Sequence, residues 1–237
     1  MALKAMVTLA AGLGLSLAAC SGSVTTEPTG SGGNGTTAAS TTGATTGSGG
    51  TCPGFEDATG IGTVTVRFHN DTGLPVYLPA QCENISYTIQ PPGGSDGVTY
   101  NFDPTCLQTC AELQTEPAYA CGACAPRSYL LPTGATREVT WNGTGLLPNV
   151  TMPDACWAQP QGNTCQKIVS AVASEYAIQA LGFNSCGDGC TCDDKGICNG
   201  SAAGSQAYAD PVKFTFPTKN AVDVIFGGCA FGCAGGD

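Results

Sequence analysis

Cysteine is the residue type that most restricts the chemistry open to this chain. Of its 237 residues, 15 are cysteine, and all but one of these lie between Cys52 and Cys233. These remaining 14 cysteines are an even number, which is typical of a disulfide framework in an oxidising compartment. We therefore expect bridges, with no metal and no cofactor. The expected disulfide cysteines are Cys52, Cys82, Cys106, Cys110, Cys121, Cys124, Cys156, Cys165, Cys186, Cys190, Cys192, Cys198, Cys229 and Cys233.

Catalytic groups are sparse. The spacing of Cys121 and Cys124 is that of a thioredoxin-type redox pair, but Pro117 and Pro126 flank it and no βαβ pattern surrounds it. The single histidine, His69, falls on the polar face of a predicted strand. No nucleophile elbow, zinc-protease motif or phosphate-binding loop occurs, and no carboxylate pair is marked for glycoside hydrolysis. The sequence therefore predicts that the protein is not an enzyme.

The loop 186–198 leaves two metal alternatives open. Its four cysteines are close enough in sequence to ligate zinc, although an oxidising compartment favours bridges. Asp188, Asp193 and Asp194 in the same loop supply hard oxygen ligands of the kind that Ca²⁺ takes. They lack the spacing of an EF-hand, so we interpret them as solvated turn carboxylates.

The overall charge excludes two classes of partner. Charged residues make up 11% of the chain, and the formal net charge is −10 at pH 7. Nucleic acids and anionic lipid headgroups both attract a positive protein surface. We expect no nucleic-acid partner.

The elements that must position these groups are strands. Val64, Val66 and Phe68 alternate with polar residues, which predicts a half-buried strand over 63–69. Pro75 and Pro79 around the next apolar run indicate an edge strand. Comparable patterns predict strands over 75–78, 84–90, 98–102, 129–131, 137–141, 176–180, 212–216 and 222–226.

These eight or nine short strands, punctuated by Gly and Pro, predict an all-β fold for residues 52–237: an antiparallel sandwich with cysteine-rich loop inserts. A helix over 166–180 is the weaker interpretation, because the residues from Tyr176 alternate as in a strand. One-faced strands pack with the apolar side inward. The predicted core residues are Val64, Val66, Phe68, Val212, Phe214, Phe216, Val222, Val224 and Phe226.

The N-terminus carries the features of an export signal. Lys4 precedes an uncharged apolar run over 5–17, which is too short to span a bilayer. The run ends in Leu17-Ala18-Ala19-Cys20, which resembles the lipobox of bacterial lipoproteins. The resemblance implies that residues 1–19 are a signal peptide, that Cys20 becomes the acylated N-terminus, and that its acyl chains hold the protein in a membrane. Ser21 in place of Asp favours the outer membrane by the enteric sorting rule. An ordinary secretory signal is the alternative.

Residues 20–51 are predicted to be the lipidated Cys20 and a disordered tether. Of the 31 residues over 21–51, 27 are Thr, Gly, Ser or Ala. Such a segment has too little apolar surface to offset the entropy of an ordered chain. The Asn-x-Ser/Thr sequences at Asn34, Asn70, Asn84, Asn142, Asn149 and Asn199 are interpreted as turns.

Several strand and turn motifs resemble an immunoglobulin-like bacterial sandwich. They are the segments 68–76, 131–143 with Trp141 as an anchor, 176–182 and 212–226. The arrangement is similar to the bacterial intracellular proteinase-inhibitor fold and to cysteine-rich lipoproteins of social Gram-negative bacteria. The resemblance implies the fold and no inhibitory residue.

Three cysteine-rich inserts interrupt the strands, at 106–124, 156–165 and 186–198. Cysteines close in sequence reach bridging distance most readily, so we expect bridges mainly within each insert: Cys106 and Cys110 with Cys121 and Cys124, Cys156 with Cys165, and the third insert within itself. The remaining cysteines would tie the termini to the sheet. This design predicts a binding or structural module of the cell envelope with an unknown envelope or extracellular partner. A protease inhibitor using the loop 157–164 is the alternative.

Overall fold

A computed structural model of the chain describes residues 52–159, 162–227 and 231. The predicted signal peptide (1–19), the tether with its acylated Cys20 (20–51), and the cysteines Cys229 and Cys233 lie outside the described residues.

The described residues form thirteen strands, one helical turn α1 (Cys110–Leu113) and one 3₁₀ turn (Asp154–Cys156). This confirms the predicted all-β fold class, since nearly all of the regular secondary structure in the described chain is strand, mostly in antiparallel pairs, and several disulfides crosslink it. The strands are β1 (Val64–Asn70), β2 (Val76–Gln81), β3 (Asn84–Ile85), β4 (Tyr87–Gln90), β5 (Arg127–Leu131), β6 (Thr136–Trp141), β7 (Thr144–Thr151), β8 (Thr164–Ser170), β9 (Ser174–Cys186), β10 (Ile197–Cys198), β11 (Ala202–Tyr208), β12 (Val212–Phe216) and β13 (Ala221–Phe226).

Two sheets and a hairpin organise these strands. A three-stranded sheet has the order β13-β1-β6, and a larger sheet has the order β10-β5-β2-β9-β11 with β3, β4 and β12 attached. Among the strands, β7 and β8 pair only with each other. Most pairs are antiparallel as predicted, but β1 and β13 are parallel, with Val66 beside Val222.

The core lies where the sequence predicts it. Val64, Val66 and Phe68 on β1 have no exposed surface, and the residues between them are half-buried. Of the nine predicted core residues, eight are buried, and Val212 is partly buried against the same cluster. Strict alternation is therefore a sufficient guide here, because each of these strands has one face toward the core.

The strand β9 runs through the middle of the larger sheet. Its first half pairs with β12 and β4, and its second half pairs with β11 and β2. Gly182 lies where a Cβ atom would be 2.5 Å from the Val76 side chain and 3.0 Å from the Phe226 ring. Glycine is required there because β9 crosses the packed core at this point.

The structure corrects several strand predictions. β2 is an interior strand between β5 and β9, not an edge strand, and Pro79 lies beyond the Tyr77–Phe183 pair where contact with β9 ends. Residues 98–102 form no strand, and only Thr99 makes a bridge, to Leu146 of β7. The strands β7, β8, β10 and β11 were not predicted, because their apolar residues do not alternate regularly.

Three bridges follow the predicted pattern within inserts. They are Cys106–Cys121, Cys186–Cys190 and Cys192–Cys198.

Three other bridges show that the prediction of local pairing is wrong for Cys110 and Cys124 of the first insert and for the whole second insert. Cys110 bonds to Cys165 and so joins these inserts to each other. The other two are Cys52–Cys156 and Cys82–Cys124.

A second apolar cluster explains the long-range bridges. It consists of Leu113, Met152, Trp157 and the cysteines of the Cys52–Cys156 and Cys110–Cys165 bridges. α1 packs on β8, and Thr109 pairs with Gln166 next to the Cys110–Cys165 bridge. Tertiary packing therefore brings the two inserts together, and sequence separation does not decide which cysteines meet.

Candidate functional site

A cleft of about 640 Å³ separates two walls of the domain. One wall is the turn and strand from Glu83 to Tyr87, and the other is the segment 100–105. Residues 58–60, the end of β6 and the start of β7 complete the lining. The volume lies within the range of small-molecule binding sites, about 300–1,000 Å³.

Disulfides hold both walls. Cys82 directly precedes one wall and bonds to Cys124, whereas Cys106 directly follows the other wall and bonds to Cys121. Cys121 and Cys124 belong to one four-residue segment. That segment is therefore covalently joined to both sides of the cleft, which restricts their relative motion before any ligand binds.

Two asparagine amides connect the same walls. Asn84 Nδ2 donates to Asn101 Oδ1 at 2.9 Å and to the Phe102 carbonyl oxygen at 3.0 Å. Asn101 Nδ2 donates to the carbonyl oxygens of Ile85 and Tyr87 at 2.9 and 3.0 Å. These four hydrogen bonds replace the ladder that a regular strand over 98–102 would have formed.

Aromatic residues of the main core form the floor of the cleft. Tyr87, Tyr100 and Trp141 line it and are at least nine-tenths buried. The Trp141 ring lies 4.8 Å from the Phe216 ring, and its indole Nε1 donates to the Thr144 carbonyl oxygen at 2.8 Å. The floor is thus rigid and continuous with the core.

Close backbone contact fixes the edge of the cleft at Gly60. A Cβ atom on this residue would lie 1.7 Å from the carbonyl oxygen of Asn142, so only glycine fits. Ser170, close by, donates its hydroxyl to the Thr59 carbonyl oxygen at 2.5 Å.

Asp103 has one carboxylate oxygen without a hydrogen-bond partner. Its Oδ1 accepts the Thr105 backbone N–H at 2.8 Å. Its Oδ2 is buried and has no hydrogen-bond partner, the only such side-chain atom within the described parts of the chain. Leaving a buried acceptor unpaired costs about 1–3 kcal/mol, and more when the group is charged. Buried polar atoms without a partner are rare in folded proteins and call for an explanation, such as a bound water, ion or ligand.

The lining of the cleft is acidic. It includes the carboxylates of Glu83 and Asp103 and contains no Lys, Arg or His. Glu83 Oε1 lies 3.5 Å from the Arg127 guanidinium, whereas Asp103 has no such partner within residues 52–159 and 162–227. Burial raises the pKa of Tyr87 and of Tyr100, so both phenols stay neutral.

Of the candidate redox, catalytic and metal-binding residues, only the cysteines beside its walls lie near this cleft, whereas Trp141, Asn84 and Asn142, which the sequence marked as anchor and turn residues, line it. Cys121 and Cys124 bond to different partners and do not form a redox pair with each other. His69 lies on the outer face of the three-stranded sheet, as predicted, where Nε2 contacts Asp223 Oδ1 and Nδ1 contacts Thr136 Oγ1, each at 2.9 Å.

The loop 186–198 is ordered by turns and two bridges. Asp193 Oδ1 accepts the backbone N–H groups of Lys195 and Ile197 at 3.0 and 2.7 Å, which is turn chemistry. The sulfur atoms of Cys186, Cys190 and Cys198 lie within 4.8 Å of one another, and all three are in disulfides. Zinc would require these bridges to be reduced, because the metal binds thiolate.

Asp103 was missed at the sequence level. It stands in Asn101-Phe102-Asp103-Pro104, which carries no recognisable motif. Its unpartnered oxygen is a consequence of where the two walls meet, so no pattern of residue types could have revealed it.

Comparison with known proteins gives no relative for this chain: no family model, curated protein or solved structure matches it.

Proposed function

We propose that this protein is a non-enzymatic binding module of the bacterial cell envelope, anchored by acyl chains on Cys20, that takes a small polar ligand in the cleft beside Asp103. The observation that carries the proposal is the buried Asp103 Oδ2 without a partner in a preorganised cleft. Binding of a ligand that donates a hydrogen bond would remove the cost of that unpaired oxygen.

The disulfides indicate an oxidising, extracytoplasmic location, since the described chain holds six of them. No helix among the described residues is long and apolar enough to cross a membrane. The lipobox-like Leu17-Ala18-Ala19-Cys20 supports attachment through acyl chains, and Ser21 supports the outer membrane as the destination.

The anchor is tested by Cys20→Ser, because serine lacks the sulfur atom that is acylated. We expect the variant to lose labelling by a fatty-acid probe and to leave the membrane fraction. Ser21→Ala is the matched control and should retain the label. Labelling of the Cys20→Ser protein would contradict the proposed anchor.

The cleft is tested by Thr140→Phe, which places an aromatic side chain at an exposed lining position. Thr215→Phe is the control, at an exposed position on β12 outside the cleft. Both are made in the Cys20→Ser chain, and the change in melting temperature is recorded with sugars, amines, carboxylates and divalent cations. We expect one class of compound to raise the melting temperature of the parent and of the Thr215→Phe variant but not that of the Thr140→Phe variant. If no class distinguishes the two variants, the cleft is not a binding site.

The protease-inhibitor alternative requires a solvent-exposed loop between bridged cysteines, such as 157–164. Cys156 and Cys165 flank this loop and are bridged to Cys52 and Cys110, and the described loop residues after Trp157 are exposed. The Trp157 side chain is buried in the second apolar cluster, and its Nε1 donates to the Met152 carbonyl oxygen at 3.0 Å.

A further inference from the structure

We infer that the ligand of the cleft carries a cationic amine, and that the Asp103 carboxylate receives it. This inference rests on the proposed function, because it names the class of ligand for the same cleft.

The balance of charge in the cleft supports a cation. Asp103 and Glu83 are the charged residues of the lining, and only Glu83 has a guanidinium beside it. An anionic ligand would meet two carboxylates and a chain of net charge −10. A cation would meet one carboxylate that no group of the described residues neutralises.

The hydrogen-bonding state of Asp103 also supports an N–H donor. Oδ1 is already occupied by the Thr105 N–H, and Oδ2 has no donor. An ammonium group donates a charge-assisted hydrogen bond to a carboxylate, which is about twice as strong as a neutral one. Because Oδ2 is buried, the inference requires the carboxylate to rotate about its soft terminal torsion until an oxygen faces the cleft.

The surroundings strengthen this pairing. The floor is made of the aromatic residues Tyr87, Tyr100 and Trp141, with Phe102 half-buried at one wall. Apolar walls lower the local dielectric and so strengthen an ion pair compared with water. The aliphatic part of an alkylamine would contact these rings, and the cleft is large enough for both parts.

The test uses the two tryptophans of the chain as internal reporters. Trp141 lines the cleft, whereas Trp157 lies in the second apolar cluster. The indole N–H signals of the ¹⁵N-labelled Cys20→Ser protein are followed during titration with n-butylammonium, n-butanol and butyrate, which share a chain length and differ in charge. We expect n-butylammonium to shift the Trp141 signal and not the Trp157 signal, and to bind at least tenfold more tightly than the other two.

Asp103→Asn provides the residue-level test. Asparagine keeps an oxygen for the Thr105 N–H and replaces the second oxygen with a donor, so the fold of the segment is preserved. We expect n-butylammonium to bind at least tenfold more weakly, which follows from the loss of one hydrogen bond to a charged group. Asp210→Asn, at an exposed position outside the cleft, removes the same charge and should change binding less than twofold.

The outcomes separate the inference from the proposed function. If n-butanol or butyrate shifts Trp141 as strongly as n-butylammonium, or if Ca²⁺ displaces n-butylammonium at a lower concentration, the cleft binds ligands but the amine inference is wrong. If none of these compounds shifts Trp141, the inference is wrong, and the Thr140→Phe screen decides whether the cleft binds anything. The peptide Ala-Lys-Ala distinguishes a lysine side chain of a partner from a free amine. If a partner's lysine is the ligand, the peptide should bind at least as tightly as n-butylammonium. If a free amine is the ligand, the peptide should bind more weakly.

Discussion

Replacement of the buried Asn70 by alanine should strongly destabilise the sandwich. Asn70 ends β1 and is fully buried. Its Nδ2 donates to the carbonyl oxygens of Leu74 and Leu131 at 2.9 and 2.7 Å. Its Oδ1 accepts the N–H and the hydroxyl of Thr72 at 3.0 and 2.7 Å. Because Leu131 belongs to β5, this one amide connects the three-stranded sheet to the larger sheet.

The expected cost follows from the four hydrogen bonds that Asn70→Ala removes. Each contributes about 0.5–1.5 kcal/mol net, and an acceptor left unpaired in the interior costs about 1–3 kcal/mol. The Thr72 hydroxyl also bonds to the Leu74 carbonyl oxygen at 2.7 Å, so it keeps one partner. The free energy of unfolding should therefore fall by about 2–6 kcal/mol.

Asn199→Ala is the matched control. Asn199 Oδ1 accepts the N–H and the hydroxyl of Thr191 at 2.7 and 3.1 Å, the same pair of acceptor bonds in an exposed position. Water replaces these bonds when the side chain is removed, so the cost should be about 0.5 kcal/mol.

Urea unfolding of the oxidised Cys20→Ser chain measures both variants, with an unchanged denaturant slope as evidence that the same transition is compared. A cost for Asn70→Ala no larger than that for Asn199→Ala would refute the argument that this buried amide joins the sheets. A cost confined to a changed slope would show that the unfolded state, and not the buried amide, had been altered.

Three further expectations follow from the fold. Replacing Cys110 and Cys165 together by alanine should lower the free energy of unfolding by about 4 kcal/mol, from the chain-entropy estimate for a bridge of this span. Peptide mapping of the unreduced parent protein should recover the Cys110–Cys165 bridge. Recovery of a Cys156–Cys165 peptide instead would contradict the structure. On β13, Phe226→Ala should lower the free energy of unfolding by about 3–5 kcal/mol in the same urea assay. Ile225→Ala, on the exposed face of the same strand, should lower it by about 0.5 kcal/mol. Equal losses would mean that the buried and exposed faces of β13 are wrongly assigned. Burial raises the pKa of Tyr87, so as pH rises above about 10 this phenol loses its proton in the unfolded state before it does in the folded state. The free energy of unfolding should therefore fall above that pH, and it should fall less in Tyr87→Phe. An identical dependence on pH in the two proteins would contradict this expectation.

The sequence by itself determined the secondary-structure class and the core. Alternation on β1, β12 and β13 identifies which side chains point inward, because in a strand the face of a side chain depends only on the parity of its position. The turn at Asn70 is also local, since an asparagine side chain bonds to the backbone two residues later. The confinement of the bridges Cys106–Cys121, Cys186–Cys190 and Cys192–Cys198 to their own inserts belongs with these features, because cysteines on one short loop lie close together, although the sequence left open which of them pair.

Only the tertiary structure decided the remaining bridges and the cleft. Cys110 meets Cys165 because α1 packs against β8, and this packing depends on an apolar cluster drawn from distant parts of the chain. Asp103 is likewise left with a free oxygen because Asn84 and Asn101 hold its segment against β3 and β4, while Thr105 satisfies only one of its two acceptors. A residue's own type states which hydrogen bonds it is able to make. Which of these hydrogen bonds form depends on the neighbours that the fold brings within reach, and those neighbours come from distant parts of the sequence.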